Sequence, residues 1–268
     1  MHRSFDTPTP PRLRLRIAAG LITIEPADVA ETTLELTALR DDEATRDAIE
    51  RAVVEQRGEE IVVEVEKSGW GLFSRSAKVG LRVRCPHDTS LDLNTASADL
   101  SANGRLGEVT VKSASGDVAL AHVGPLVVST ASGDVRVQEL QADGRVNTVS
   151  GDLRIAGVRA ELAANSVSGD VELGDVDDSV SVQSVSGDQR LRALQAGDVK
   201  LTTVSGDVEV GVLVGTRLYI DVSSTSGDVR SELDVGNEPA TDGPEAQLRV
   251  KTVSGDIALM RTVRVGAS

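Results

Sequence analysis

Apolar and polar residues alternate strictly along most of this chain. The pairs Val118/Leu120, Val135/Val137, Leu153/Ile155, Val171/Leu173 and Val208/Val210 are each spaced by two. So are Leu91/Leu93, Val109/Val111, Leu126/Val128, Val180/Val182, Val199/Leu201 and Leu248/Val250. Period two belongs to a β-strand with one buried face, and no apolar series here recurs at three and four as a helix requires. The pattern predicts pairs of short strands, one pair after another, from about residue 89 to the end.

Between the strands of each pair stands the same tripeptide. Ser-Gly-Asp begins at Ser115, Ser132, Ser150, Ser168, Ser186, Ser205, Ser226 and Ser254, with a degenerate Ser-Ala-Asp at Ser97. The steps are 18, 17, 18, 18, 18, 19, 21 and 28 residues. A fixed short period is the mark of a solenoid. The expected fold is therefore all-β: a single-chain β-solenoid of about eighteen residues per coil, with successive coils stacked at the inter-strand spacing of about 4.8 Å. About nine such coils fill residues 89–268. Each corner holds a glycine and an aspartate: Gly116/Asp117, Gly133/Asp134, Gly151/Asp152, Gly169/Asp170, Gly187/Asp188, Gly206/Asp207, Gly227/Asp228 and Gly255/Asp256, with Asp99 in the degenerate copy. The glycines are expected to supply a positive φ. The aspartates are expected to accept backbone N–H groups a residue or two further on, as in an Asx turn. Ser or Thr stands two residues before every corner serine, from Thr95 to Thr252.

Residues 1–88 read differently and are expected to cap the first coil as a small α+β segment. "RLRLRIAAGLITIEP" reads as strand, turn, strand, and "TTLELTAL" as a further strand. "DDEATRDAIERAVVEQRG" predicts a helix near 42–57, capped by Asp41 or Asp42 and ended by Gly58. "IVVEVE" and "KVGLRVRC" are expected to form a hairpin around the loop "KSGWGLFSRSA". That loop holds Trp70, Leu72 and Phe73 among basic residues, and is the candidate partner contact, because Trp and Phe beside Arg are common interface anchors. The alternative is that these side chains plug the first coil. At the other end the chain closes on "IALMRTVRVGAS", where Arg261 and Arg264 could blunt an open edge that otherwise invites end-to-end self-association.

Composition sharpens the picture. Aromatic residues make up 1% of the chain (Phe5, Trp70, Phe73 and Tyr219), so the core must be thin and aliphatic. A net charge of −14 disfavours nucleic acid and anionic membrane surfaces. Cys85 is the single cysteine, so no internal disulfide can form. No signal-peptide pattern opens the chain and no stretch is long enough to span a bilayer, so the expected location is the cytoplasm.

The search for chemistry returns little. His2 is at the terminus, His122 is expected in a coil turn where no metal-binding residue recurs with it, and Cys85 with His87 offers two of the four ligands a structural zinc needs. No GxSxG, P-loop, GxGxxG or HExxH is present. No cofactor is expected. The turn aspartates recur in every coil, which suits a structural role better than a glycosidase pair across a cleft. Calcium is a further reading of stacked aspartates, though one Asp per coil supplies few of its six to eight oxygens.

The repeats "SVSGDVEL", "TVSGDVEV", "STSGDVRS" and "TVSGDIAL" resemble the bacterial β-strand-repeat proteins grouped as "putative adhesins", related to the auto-transporter adhesin head (GIN) domain. The resemblance runs from about Leu91 to Val265. It implies a single-chain β-helix, right-handed, and brings no catalytic residues with it. The resulting expectation is a non-enzymatic solenoid acting as a scaffold or interaction module, with an unidentified protein partner or with itself. A polysaccharide-acting β-helix enzyme and a calcium-dependent β-roll are the alternatives.

Overall fold

In the computed structural model, the residues described are 1–65, 77–233 and 243–263. The chain divides into two compact units, Met1–Arg136 and Val137–Ser268. Each is a β-solenoid whose strands alternate between two sheets, so that a coil contributes one strand to each wall. No helix among the described residues is long and apolar enough to cross a membrane.

The regular coils lie in the second unit. One wall stacks Gly144–Thr148, Leu162–Asn165, Val180–Gln183 and Gly197–Thr202, each parallel to the next. The other stacks Leu153–Val158, Val171–Val176, Gln189–Leu194 and Val208–Leu213. In-register residues are one period apart, as Val146, Ala164, Val182 and Leu201 show. All four are buried, as is the facing row Leu153, Val171 and Val208. The two-residue alternation thus becomes aliphatic ladders between two walls, and β-branched side chains suit that narrow pleated space.

The last coils depart from the expected order. Strand Glu245–Ser254 lies between Gly197–Thr202 and Arg217–Ser226. Strand Ile257–Thr262 lies between Val208–Leu213 and Val229–Ser231. The coil that is last in sequence is therefore inserted beneath the one before it, and Arg217–Ser231 forms the rim. Composition explains the exchange. Leu259 is in register with Ser231, and Ile257 with Val229. The more apolar coil occupies the slot covered on both sides, and the long final step supplies the chain to reach it.

The first unit shows the same insertion. Arg12–Ile17 pairs parallel with both Ser90–Asn94 and Glu60–Val65. Ala19–Ala27 pairs parallel with both Ser97–Leu106 and Val79–Pro86. "IVVEVE" and "KVGLRVRC" are therefore not a hairpin. They stand in opposite walls, because both are alternating strands whose buried faces (Ile61, Val63, Val65; Val79, Leu81, Val83) must line one interior. The hairpin that does form joins Val53–Arg57 to Glu60–Val65 around Gly58, whose φ is +63°. The helix is correspondingly shorter than expected, Glu43–Glu50, with Asp42 Oδ1 accepting the Thr45 N–H at 2.8 Å. The β-branched pair Val53/Val54 favours the strand over about two more helical turns. His2–Asp6 and Glu31–Ala38 extend one wall antiparallel beyond Val79–Pro86.

Candidate functional site

The corner tripeptide is the chemically distinctive feature of both units. In the first, Asp117 N–H donates to Asp99 Oδ1 at 3.0 Å, and Asp134 N–H to Asp117 Oδ1 at 3.0 Å. In the second, Asp170 donates to Asp152, Asp188 to Asp170, Asp207 to Asp188, Asp256 to Asp207, and Asp228 to Asp256, at 2.8–3.1 Å. Each carboxylate thus holds the amide of the neighbouring coil, not an amide of its own turn. The in-register stack puts the next coil's N–H closer to hand than any local donor. Bare carboxylates one coil apart would repel by about 1 kcal/mol in water, and the interposed amides offset that.

The glycines also act across coils. A Cβ at Gly116 would lie 2.0 Å from the Ala98 carbonyl oxygen, and one at Gly133 would lie 2.0 Å from that of Gly116. Gly169, Gly227 and Gly255 meet the same obstacle at 2.1 Å. Close stacking, rather than a positive φ, is what selects glycine here. Among the corner glycines only Gly187 and Gly206 have positive φ, at +148° and +155°.

Those two mark a change in corner design. In earlier corners the glycine N–H donates to the Ser or Thr three residues before it, as Gly151 does to Thr148 Oγ1 and Gly169 to Ser166 Oγ, both at 3.0 Å. At Gly187, Gly206 and Gly255 the N–H instead reaches a serine carbonyl of the neighbouring coil. Ser184, Thr203 and Thr252 then keep buried hydroxyls with no partner among the described residues.

Beside the corners, whose Asp170, Asp188, Asp207 and Asp256 help to line the second of them, the second unit bears two ordered surfaces. One is a row of half-exposed valines (Val149, Val167, Val185, Val204 and Val253), each just before a corner serine; Thr225 takes the place before Ser226. The other is a shallow groove of about 430 Å³ over the opposite wall. Its floor alternates charge: Glu172 pairs with Arg154 and Arg192 at 3.6 and 3.3 Å, and Glu209 with Arg190 at 2.8 Å. Both glutamates are neutralised by arginine in an open setting, unlike the paired acid and base of a glycosidase. No group of three potential metal ligands occurs among the described residues.

Cys85 and His87 do not come together as a ligand pair. Cys85 is fully buried, and burial pushes its thiol up to about 11. His87 faces Asp28 instead, with Nε2 at 3.6 Å. His2 lies in the strand His2–Asp6, and His122 lies in the strand Val118–Val123 rather than in a turn. Trp70, Leu72, Phe73 and Arg264 fall outside the described residues. Arg261 stands in register with Val212, and its Nη1 donates to the Leu213 carbonyl at 3.2 Å.

The rim itself is the surface that sequence reasoning missed. In Arg217–Ser226, Tyr219 is 60% and Ile220 44% exposed, and Val229 on the facing wall is 50% exposed. Leu248 and Ile257, the register partners of Ile220 and Val229, are fully buried. Only the period stretching to 21 and then 28 residues hinted that these coils were unusual.

Residues 12–260 match the model of the family described as Toastrack DUF4097. Among solved structures, a "putative adhesin" from Parabacteroides merdae aligns with a TM-score of 0.54 at 12% identity, over 98% of this chain and 95% of that one. A "putative adhesin" from Parabacteroides distasonis aligns with a TM-score of 0.52 at 15% identity, over 96% of each chain. At these identities the likeness is one of fold. No curated protein is significantly similar in sequence.

Proposed function

The chain belongs to the Toastrack DUF4097 family, and on that premise we propose that it is a non-enzymatic solenoid scaffold that works by protein interaction. One observation carries this reading. Its most repeated acidic group, the corner aspartate, is engaged coil after coil in holding a neighbouring backbone amide. A side chain needed at every corner for stacking is not held in reserve for one reaction. The adhesin-like descriptions of its structural relatives support an interaction role in those proteins. In this chain the rim offers the exposed apolar and aromatic groups such a role uses, with Tyr219 at its centre.

A photo-crosslinking residue placed at Tyr219 in the native cell tests this. A discrete crosslinked band is expected from position 219 and not from Arg82 on the first unit. Free chain alone from position 219 would overturn the reading. The enzyme alternative is tested by incubating the protein with neutral and anionic polysaccharides. No release of reducing ends is expected, and release abolished by Glu172→Gln or Glu209→Gln would contradict the proposal.

A further inference from the structure

We infer that the rim strand Arg217–Ser226 is a self-pairing edge, and that its partner is the same strand of a second copy, antiparallel about a two-fold axis at Ile220. This rests on the interaction reading above and names the partner. Among the described residues the strand has a neighbour on one side only, Glu245–Ser254. Arg217 N–H donates towards that neighbour, to the Pro244 carbonyl at 2.9 Å. Along a parallel ladder such donors alternate, so the N–H and C=O groups of Leu218, Ile220 and Val222 face the open side. The side chains of these same residues take the inward positions of the wall, in register with Ala246, Leu248 and Val250, which are buried. The rim thus presents unpaired backbone and uncovered core together, the condition under which an edge recruits another strand.

The order of residues selects a second copy as that strand. Around Ile220 the polarity is palindromic: Leu218 and Val222 flank it on the inner face, and Tyr219 and Asp221 on the outer. An antiparallel pair centred on Ile220 sets Ile220 against Ile220, Leu218 against Val222, and Tyr219 against Asp221. Arg217, whose Nη2 pairs with Glu245 of its own chain at 3.2 Å, then lies diagonal to Asp221, within reach of a long side chain. Moving the centre to Asp221 would set that carboxylate against itself, which disfavours the alternative. A two-fold axis normal to the wall reverses the strand but keeps the interior on the same side. That wall and the aliphatic face behind it therefore continue across the junction, as an isologous contact requires.

The test is sedimentation of the full chain as a function of concentration, with three variants. The wild type is expected to dimerise. Ile220→Lys, which puts two cations on the axis, is expected to weaken dimerisation by about a hundredfold. Because Ile220 is exposed, its melting midpoint should hold, confirming that the fold survives. Arg217→Asp and Asp221→Arg should each weaken the dimer, and the double exchange should restore it. Ile220→Cys with oxidised glutathione should give a disulfide-linked dimer, glutathione accepting the two electrons. Wild type monomeric at about millimolar concentration overturns the inference. So does a dimer indifferent to Ile220→Lys. A Tyr219 crosslink to a different protein, with no self-dimer, would sink this inference and leave the interaction role standing.

Discussion

Gly133 sits so close to Gly116 in the neighbouring coil that a Cβ on it would lie 2.0 Å from the Gly116 carbonyl oxygen. The obstacle is backbone, and neither coil can give way without breaking ladder hydrogen bonds. Gly133→Ala is therefore expected to destabilise the protein by about 3 kcal/mol in urea denaturation. Gly58→Ala is the comparison. Gly58 has φ of +63° but nothing within 4 Å of a new Cβ, so the change should cost only about 1 kcal/mol.

The inserted final coil makes a second expectation. Val222 stands on the rim strand with its N–H facing the open side, while its register partner Val250 lies between two strands. In dilute solution, where the chain is monomeric, Val222→Pro should lower the melting midpoint far less than Val250→Pro, because only the latter removes a ladder donor within one copy. The reverse ranking would indicate that the coils stack in sequence order after all.

Cys85 gives a pH dependence. Burial raises its pKa from 9.0 to about 11, so the folded state favours the neutral thiol. A raised folded pKa contributes stability that is complete below pH 9 and is lost as pH climbs towards 11. Comparing Cys85→Ala with the wild type across that window should reveal the extra alkaline loss in the wild type alone. Iodoacetamide should leave Cys85 unmodified at pH 8 until denaturant is added.

The corner carboxylates predict indifference to metal chelation. Asp170, Asp188 and Asp207 each already receive an amide proton from the next coil. The melting midpoint should be the same in EDTA and in calcium. A marked fall in EDTA would mean that cations sit along the ladder.

What the sequence made legible was whatever repeats. The aliphatic rows such as Val146, Ala164, Val182 and Leu201 could be aligned on the corner serine, because one period of sequence is one coil of structure. Contacts that depend on a neighbouring coil were less visible. Spacing places Asp170 at a corner, but does not say that its hydrogen-bond donor is Asp188 rather than an amide of its own turn. The order of the terminal coils was hidden for another reason. Coils ending in Ser231 and in Leu259 satisfy the same pattern, and only their competition for the covered slot decides which becomes the rim. The same holds for Val53–Arg57, whose apolar residues fit a helix by spacing but pair with Glu60–Val65 in the fold. Trp70 and Phe73 drew attention by composition, whereas Tyr219, equally rare, lies on the exposed rim.

The amide exchange rate of Asp188 is the most direct measure of the claim that corner carboxylates bind coil to coil. Nuclear magnetic resonance should find that amide protected in the wild type, although its side chain is exposed to solvent. In Asp170→Ala it should exchange much faster while the amides of Val180 and Val182, in the strand before the same corner, keep their protection. An Asp188 amide that exchanges at the same rate in both proteins would contradict the account.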